Sequence, residues 1–250
     1  MADGEGSDER QAVATRGLRK EFGDLVAVAG LDLSVPRGTL YGMIGPNGSG
    51  KTTAIKMMVG RLRPTKGGAR ILEEDVPLAG ASLARIGYMP QELAIYADLT
   101  VSENLQLFGS LYSMGRERFA KSGEALLSMV GLAERRDSLV SHLSGGMKHR
   151  ASLACAMIHD PEVLFLDEPT VGVDPELRVG FWRNFSDLKS RGKTIIITTH
   201  YMDEAGRCDV VGMMRQGKLI AEGRPQDLME RTSTSSLEEA FLEYSRRDAA

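Results

Sequence analysis

The stretch Gly45-Pro46-Asn47-Gly48-Ser49-Gly50-Lys51-Thr52 constrains the fold of this sequence more than any other part. Its closely spaced glycines let the backbone turn so that successive N–H groups face one centre, an arrangement suited to phosphate oxygens. Thr39-Leu40-Tyr41-Gly42-Met43-Ile44 just before it reads as a buried strand, and Thr52 to Gly60 just after it reads as a helix. A strand, a glycine loop and a helix N-terminus in that order make a phosphate cradle.

The spacing matches a Walker A loop, with the pattern GxxxxGKT. Lys51 is then placed for the β- and γ-phosphates of a nucleotide. The Thr52 hydroxyl is placed for Mg²⁺, and Thr53 adds a phosphate contact at the helix start. A second element completes this chemistry. Val163-Leu164-Phe165-Leu166 is an apolar strand that ends in Asp167 and Glu168. Asp167 can hold the metal opposite Thr52, and Glu168 can polarise an attacking water as general base.

Along the rest of the chain, residues 1–11 are polar and read as a disordered tail. From Ala12 the sequence alternates apolar and polar residues, which predicts an antiparallel β-layer. From about Ser82 to Ile158 the pattern is mainly helical, with apolar residues recurring at Leu105, Phe108, Leu111 and Tyr112. Strands return at Val163–Leu166, Thr194–Thr198 and Val210–Met214, with a helix from Pro175 to Arg191 between the first two. The expected fold is therefore α/β: a mostly parallel core sheet, an N-terminal antiparallel layer, and an inserted helical lobe at about 92–158. One catalytic unit spans 12–231. Residues 232–250 read as a linker and a last amphipathic helix carrying Leu237, Phe241 and Leu242.

Composition removes several alternatives. A net charge of −3 gives no general attraction to a phosphate backbone, so no nucleic-acid partner is expected. Cys155 and Cys208 lack metal or disulfide spacing and read as buried reduced thiols. His142, His149 and His159 do not form a metal set, and Trp182, Phe185, Met213 and Met214 read as core. No apolar run approaches the roughly 20 residues that span a bilayer.

Leu143-Ser144-Gly145-Gly146, lying before a helix and ahead of the Asp167 strand, separates this chain from other P-loop NTPases. Here the sequence resembles the ABC ATPase family, whose signature is LSGGQ, over about Ala12 to Gly223. The resemblance implies that Ser144, Gly145 and Gly146 contact the γ-phosphate of a nucleotide bound to a partner subunit. It implies further that Phe22 stacks on adenine, Gln91 contacts Mg²⁺ and the attacking water, Asp174 touches the partner, and His200 hydrogen-bonds the γ-phosphate. ATP and Mg²⁺ are the implied cofactors.

Met147 stands where the signature has Gln. That departure, Thr-Val-Gly-Val-Asp-Pro at 170–175, Thr-His-Tyr-Met-Asp-Glu-Ala at 199–205 and Leu-Glu-Glu-Ala-Phe-Leu at 237–242 resemble ABC-2 type exporters of the daunorubicin-resistance and sodium-efflux kind. The resemblance implies an ATPase that pairs with a second ABC subunit, as a homo- or heterodimer, around two ATP molecules. It also implies an integral-membrane permease as partner, and a cytoplasmic location at the membrane face. A non-transport ABC ATPase, acting in translation or assembly, shares the same ATP motifs and is the alternative.

Overall fold

The apolar–polar alternation from Ala12 becomes β1 (Gln11–Phe22) in the computed structural model, which describes residues 11–248. The tail expected at 1–11 thus lies outside the described residues except for Gln11, which opens β1. The chain turns back as β2 (Leu25–Pro36), crosses the core as β3 (Leu40–Ile44), and enters α1 (Lys51–Met58). It returns to the first layer as β4 (Lys66–Ile71) and the short β5 (Glu74–Asp75), giving an antiparallel sheet in the order β2-β1-β4-β5.

The remaining elements build the core and the lobe. They are β6 (Ile86–Met89), α2 (Val101–Leu111), α3 (Arg116–Met129), α4 (Gly145–Met157), β7 (Val163–Asp167) and α5 (Pro175–Ser190). β8 (Thr194–Thr199), α6 (Met202–Ala205), β9 (Val210–Arg215), β10 (Lys218–Gly223), α7 (Pro225–Thr232) and α8 (Leu237–Arg247) complete them. The second sheet has the order β10-β9-β3-β8-β7-β6. β9, β3, β8, β7 and β6 run parallel, and β10 is antiparallel at the edge.

A parallel sheet covered on both faces buries every side chain, and the two-residue period then decides which core each one joins. Tyr41, Met43, Phe165 and Ile196 point toward α1 and the antiparallel layer, where they pack with Ile55, Met58, Leu18 and Leu31. Leu40, Ile44, Leu164, Leu166, Ile195 and Ile197 point the other way, onto Phe181, Trp182 and Phe185 of α5 and Phe241 of α8. α4 joins the lobe to this second core. Its residues Ala151 to Met157 are all buried, so it shows no polar stripe.

Several expectations differ in detail. Ile86–Met89 lies in the stretch read as mainly helical, yet it is the edge strand β6, paired in parallel with β7. A strand of four residues, three of them buried, is too short a run for either period to show. β10 and α7 had no counterpart in the sequence reading, and Thr232, expected in a linker, is the last residue of α7. Ser233, in the left-handed region at φ 54°, follows it, and the Ser236 side chain caps α8 by accepting from the Glu239 N–H. In α8, Leu237, Ala240 and Phe241 are buried, whereas Leu242 faces away from that stripe and is exposed.

Phe185 is fully buried and meets the Trp182 ring edge-on at 5.8 Å. Phe185→Ala should lower unfolding free energy by about 3–5 kcal/mol in urea denaturation, through lost burial and the cavity left between α5 and the sheet.

Candidate functional site

Parallel strands that end at one level place their following residues together at the carboxyl edge of the sheet. Ile44 of β3 pairs with Thr199 of β8, and Asp167 of β7 pairs with Thr198. The loop from Gly45, the carboxylates Asp167 and Glu168, and His200 consequently meet at one edge. β6 adds Gln91, two residues beyond its end, which explains how a residue from the supposedly helical region reaches the site.

The loop owes its path to glycine. Gly50, the residue before α1, has φ 104°, and a Cβ there would run into the Ala27 carbonyl of β2. The loop curls around Lys51, whose Nζ donates to the Gly45 carbonyl at 2.6 Å and the Pro46 carbonyl at 3.2 Å. Lys51 is 5% exposed. Burial pulls its ammonium below the ordinary lysine range, while the carboxylates of Glu168 and Asp167 act in the opposite direction.

Two adjacent acids are held differently. Asp167 Oδ1 accepts from Thr52 Oγ1 at 3.1 Å and also from Thr198 Oγ1. Its Oδ2 is buried with no hydrogen-bond partner among the described residues. Glu168 adopts a left-handed backbone at φ 57°, and its N–H is anchored to the carbonyl and the hydroxyl of Thr198. The turn sends the Glu168 side chain across the sheet edge: Oε2 meets His200 Nδ1 at 2.8 Å, and Oε1 lies 3.9 Å from Lys51 Nζ. A carboxylate can only accept, so Nδ1 carries the proton in that bond.

A cleft of about 550 Å³ opens over this edge, lined by Asn47 to Thr53, Gln91 and Glu168 at one end and by Phe22, Leu25, Val26 and Ala27 at the other. Phe22 is 49% exposed, its ring face covered by Lys20 Nζ at 5.0 Å. A flat apolar wall beside a row of backbone donors and a lysine fits a planar base joined to phosphates. Gln216 also lines the cleft, and the sequence reading missed it. It opens the two-residue turn Gln216-Gly217 between β9 and β10, and that hairpin signal was the only trace available.

Ser144, Gly145, Gly146 and Asp174 lie outside this cleft. The Ser144 side chain caps α4, accepting from the Met147 N–H at 3.3 Å, and Asp174 caps α5, accepting from the Leu177 N–H at 3.1 Å. The two caps are neighbours through backbone: a Cβ on Gly146 would collide with the Gly172 carbonyl. His159, read as structural, stacks on Tyr112 at 3.7 Å and bonds the Ile86 carbonyl through Nε2. Cys155 and Cys208 are free and buried, and burial pushes the Cys155 thiol up to about 12.

A family model described as ABC transporter matches residues 28–171. The probable multidrug ABC transporter ATP-binding protein YbhF of Escherichia coli K12 is 39% identical over 249 residues, which cover 96% of this chain and 42% of that protein. This chain therefore spans less than half of that relative. The Nod factor export ATP-binding protein I of Burkholderia lata is 44% identical over 217 residues, covering 86% of this chain and 71% of that protein. A solved ATP-binding subunit of an ABC transporter superposes with a TM-score of 0.86 at 26% identity, over 94% of this chain and 99% of that one. Among the described residues no helix is long and apolar enough to cross a membrane. The matched residues 28–171 include the phosphate loop, the serine-glycine cap and the carboxylate strand, and the chain belongs to the ABC transporter family as an ATP-binding domain.

Proposed function

We propose that this chain hydrolyses ATP as the motor subunit of a transporter. The Glu168–His200 contact carries the reading. One carboxylate oxygen is held by the histidine at 2.8 Å, which leaves the other beside Lys51 and the cleft, turned toward the phosphate loop. With ATP in that cleft, the N–H groups of the 45–52 loop and Lys51 hold the phosphates, and Phe22 supplies a face for adenine. Glu168 Oε1 takes a proton from a water molecule whose oxygen bonds to the γ-phosphorus. The bond to the β,γ-bridging oxygen breaks, and ADP and phosphate leave. Gln91 lines the same end of the cleft and assists in placing that water.

The residues also fit Mg²⁺. Asp167 Oδ2 is buried with no hydrogen-bond partner among the described residues, and Oδ1 already lies next to the Thr52 hydroxyl, so a hard cation would find oxygen donors there. Thr52 and Asp167, with Gln91 nearby, are the residues that would hold it. The metal would supply charge neutralisation for the phosphates.

Ser144, Gly145, Gly146 and Asp174 face no nucleotide of their own cleft, and a helix N-terminus capped by serine and opened by glycines suits a phosphate. We assign these residues to the nucleotide of a second ABC subunit, so that two chains, identical or not, close around two ATP molecules. Residues 12–231 would form the ATPase unit, with 92–158 as its helical lobe and 232–250 as a C-terminal addition. A membrane permease is the second partner, which places the chain at the cytoplasmic membrane face. The names of the E. coli and Burkholderia relatives, a multidrug transporter protein and an export protein, support export as the direction.

Glu168→Gln keeps the shape of the side chain and removes the base. Steady-state turnover should fall by about 10²–10⁴-fold while ATP affinity stays within about twofold. Light scattering should then detect an ATP-dependent dimer, and wild-type turnover would remove Glu168 from the mechanism. Thr52→Ala should raise the Mg²⁺ concentration for half-maximal turnover by about tenfold, the effect of losing roughly one charge-assisted contact. An unchanged Mg²⁺ titration would place the metal elsewhere.

A further inference from the structure

Glu204 has no part in the phosphate chemistry above, yet it is 2% exposed. Burial pushes its carboxyl above the usual range, opposed by hydrogen bonds from Thr170 and Thr199 and by the charge of Arg178. A carboxylate in such a place is costly unless its partners repay it. Oε2 accepts from Thr170 Oγ1 at 2.8 Å and from Thr199 Oγ1 at 3.2 Å, and Arg178 Nε lies 3.4 Å from Oε1.

Those partners belong to three segments. Thr170 lies two residues after Glu168, Thr199 directly precedes His200, and Arg178 is on α5, the helix capped by Asp174. The contacts close into a ring that runs from Glu168 through Thr170, Glu204, Thr199 and His200, and back to Glu168 across the 2.8 Å bond. Thr199 is further fixed by accepting from the Tyr201 N–H at 3.0 Å, and the Tyr201 ring packs on His200 at 4.1 Å. Arg178 braces the ring from outside. Its guanidinium lies 4.9 Å from the Tyr201 ring centre, and it donates to the Val173 carbonyl at 3.3 Å.

We propose that Glu204 is a positioning residue for ATP hydrolysis: by binding Thr170 and Thr199 through one oxygen, it sets the spacing between the backbone segments that carry Glu168 and His200. The inference rests on the reading of Glu168, held by His200, as the base that takes a proton from water. Glu204 itself lies outside the cleft lining, so its removal should act on turnover and leave nucleotide affinity alone. Small misplacements of a catalytic group are enough for a large loss of rate.

The test is steady-state ATP hydrolysis by the full chain carrying Glu204→Ala, Glu204→Gln, His200→Ala and the Glu204→Ala/His200→Ala pair, with Glu168→Gln alongside. Glu204→Ala should lower kcat by at least about tenfold with KM for ATP within about twofold of wild type. Glu204→Gln keeps an accepting oxygen and should stay within about threefold of wild type. With His200 already removed the ring is cut, so Glu204→Ala should then cost less than about twofold. Wild-type kcat in Glu204→Ala, a loss carried by KM, or losses that multiply in the double variant would each overturn the proposal. Should Glu204→Ala fail to accumulate as folded protein, Thr170→Val removes one donor at nearly constant volume and is judged by the same criteria. The Glu168→Gln control separates the two ideas. Wild-type turnover in that variant defeats the reading of Glu168 as the base, whereas its inactivity beside a fully active Glu204→Ala defeats only the assignment of Glu204.

Discussion

The parallel register of β3, β8 and β7 is the constraint on which the site depends. Pairing Ile44 with Thr199, and Asp167 with Thr198, ends these strands at one level. Each functional group then follows its strand by a residue or so: Gly45 after Ile44, Glu168 after Asp167, His200 after Thr199. Because side chains alternate across a sheet, a slip of one residue would exchange the buried sets of both faces as well as part these groups. Register is therefore fixed by the core, where Phe165 and Ile196 pack on one side and Leu166 and Ile197 on the other. The hydrophobic pattern that folds the sheet is the same pattern that aligns the chemistry.

Glu168 shows what that alignment costs. A non-glycine residue held in the left-handed region costs about 1–3 kcal/mol, and here the φ is 57°. Two bonds from its N–H to Thr198 hold the turn in place. The gain is direction: β7 ends with Asp167 buried beneath the Thr52 hydroxyl, and the turn carries the next carboxylate out to Lys51 and His200. Adjacent acids in an extended strand would point to opposite faces of the sheet, and the left-handed turn brings the second back to the edge that holds the first.

Much of this was legible in the sequence because its signals are local. Glycines in the 45–50 loop, an apolar strand ending in Asp167-Glu168, and Ser144 before two glycines each state a backbone geometry within a few residues. The parallel core, the antiparallel first layer and the helical lobe followed from apolar periodicity. What escaped was short or long-range. β6 has four residues, β10 is an edge strand with half-buried positions, and neither gives a readable period. Gln216 reaches the cleft only because its turn packs on the loop, where Gly217 N–H donates to the Ser49 carbonyl. Glu204 stands in the sequence only as part of the Thr-His-Tyr-Met-Asp-Glu-Ala stretch at 199–205. Its burial depends on Thr170 and Thr199, which no spacing rule connects to it.

The contact between Gly146 and Gly172 ties the two halves of the design together. α4 is capped by Ser144 in the lobe and ends buried against the sheet beside β6 and β7, so it behaves as a rod with one end in each part. At its outer end no side chain separates Gly146 from the Gly172 carbonyl, and Gly172 lies in the loop between Glu168 and Asp174. Close-packed backbone has no soft side chain to absorb a displacement, so the α4 N-terminus cannot approach that loop without moving it. In the proposed dimer, the serine cap of one copy meets the partner's nucleotide. The same cap rests on the loop that leads back through Thr170 to its own Glu168. The cap and the loop that runs from Glu168 to Asp174 are thus packed backbone on backbone, and the position of one sets the position of the other.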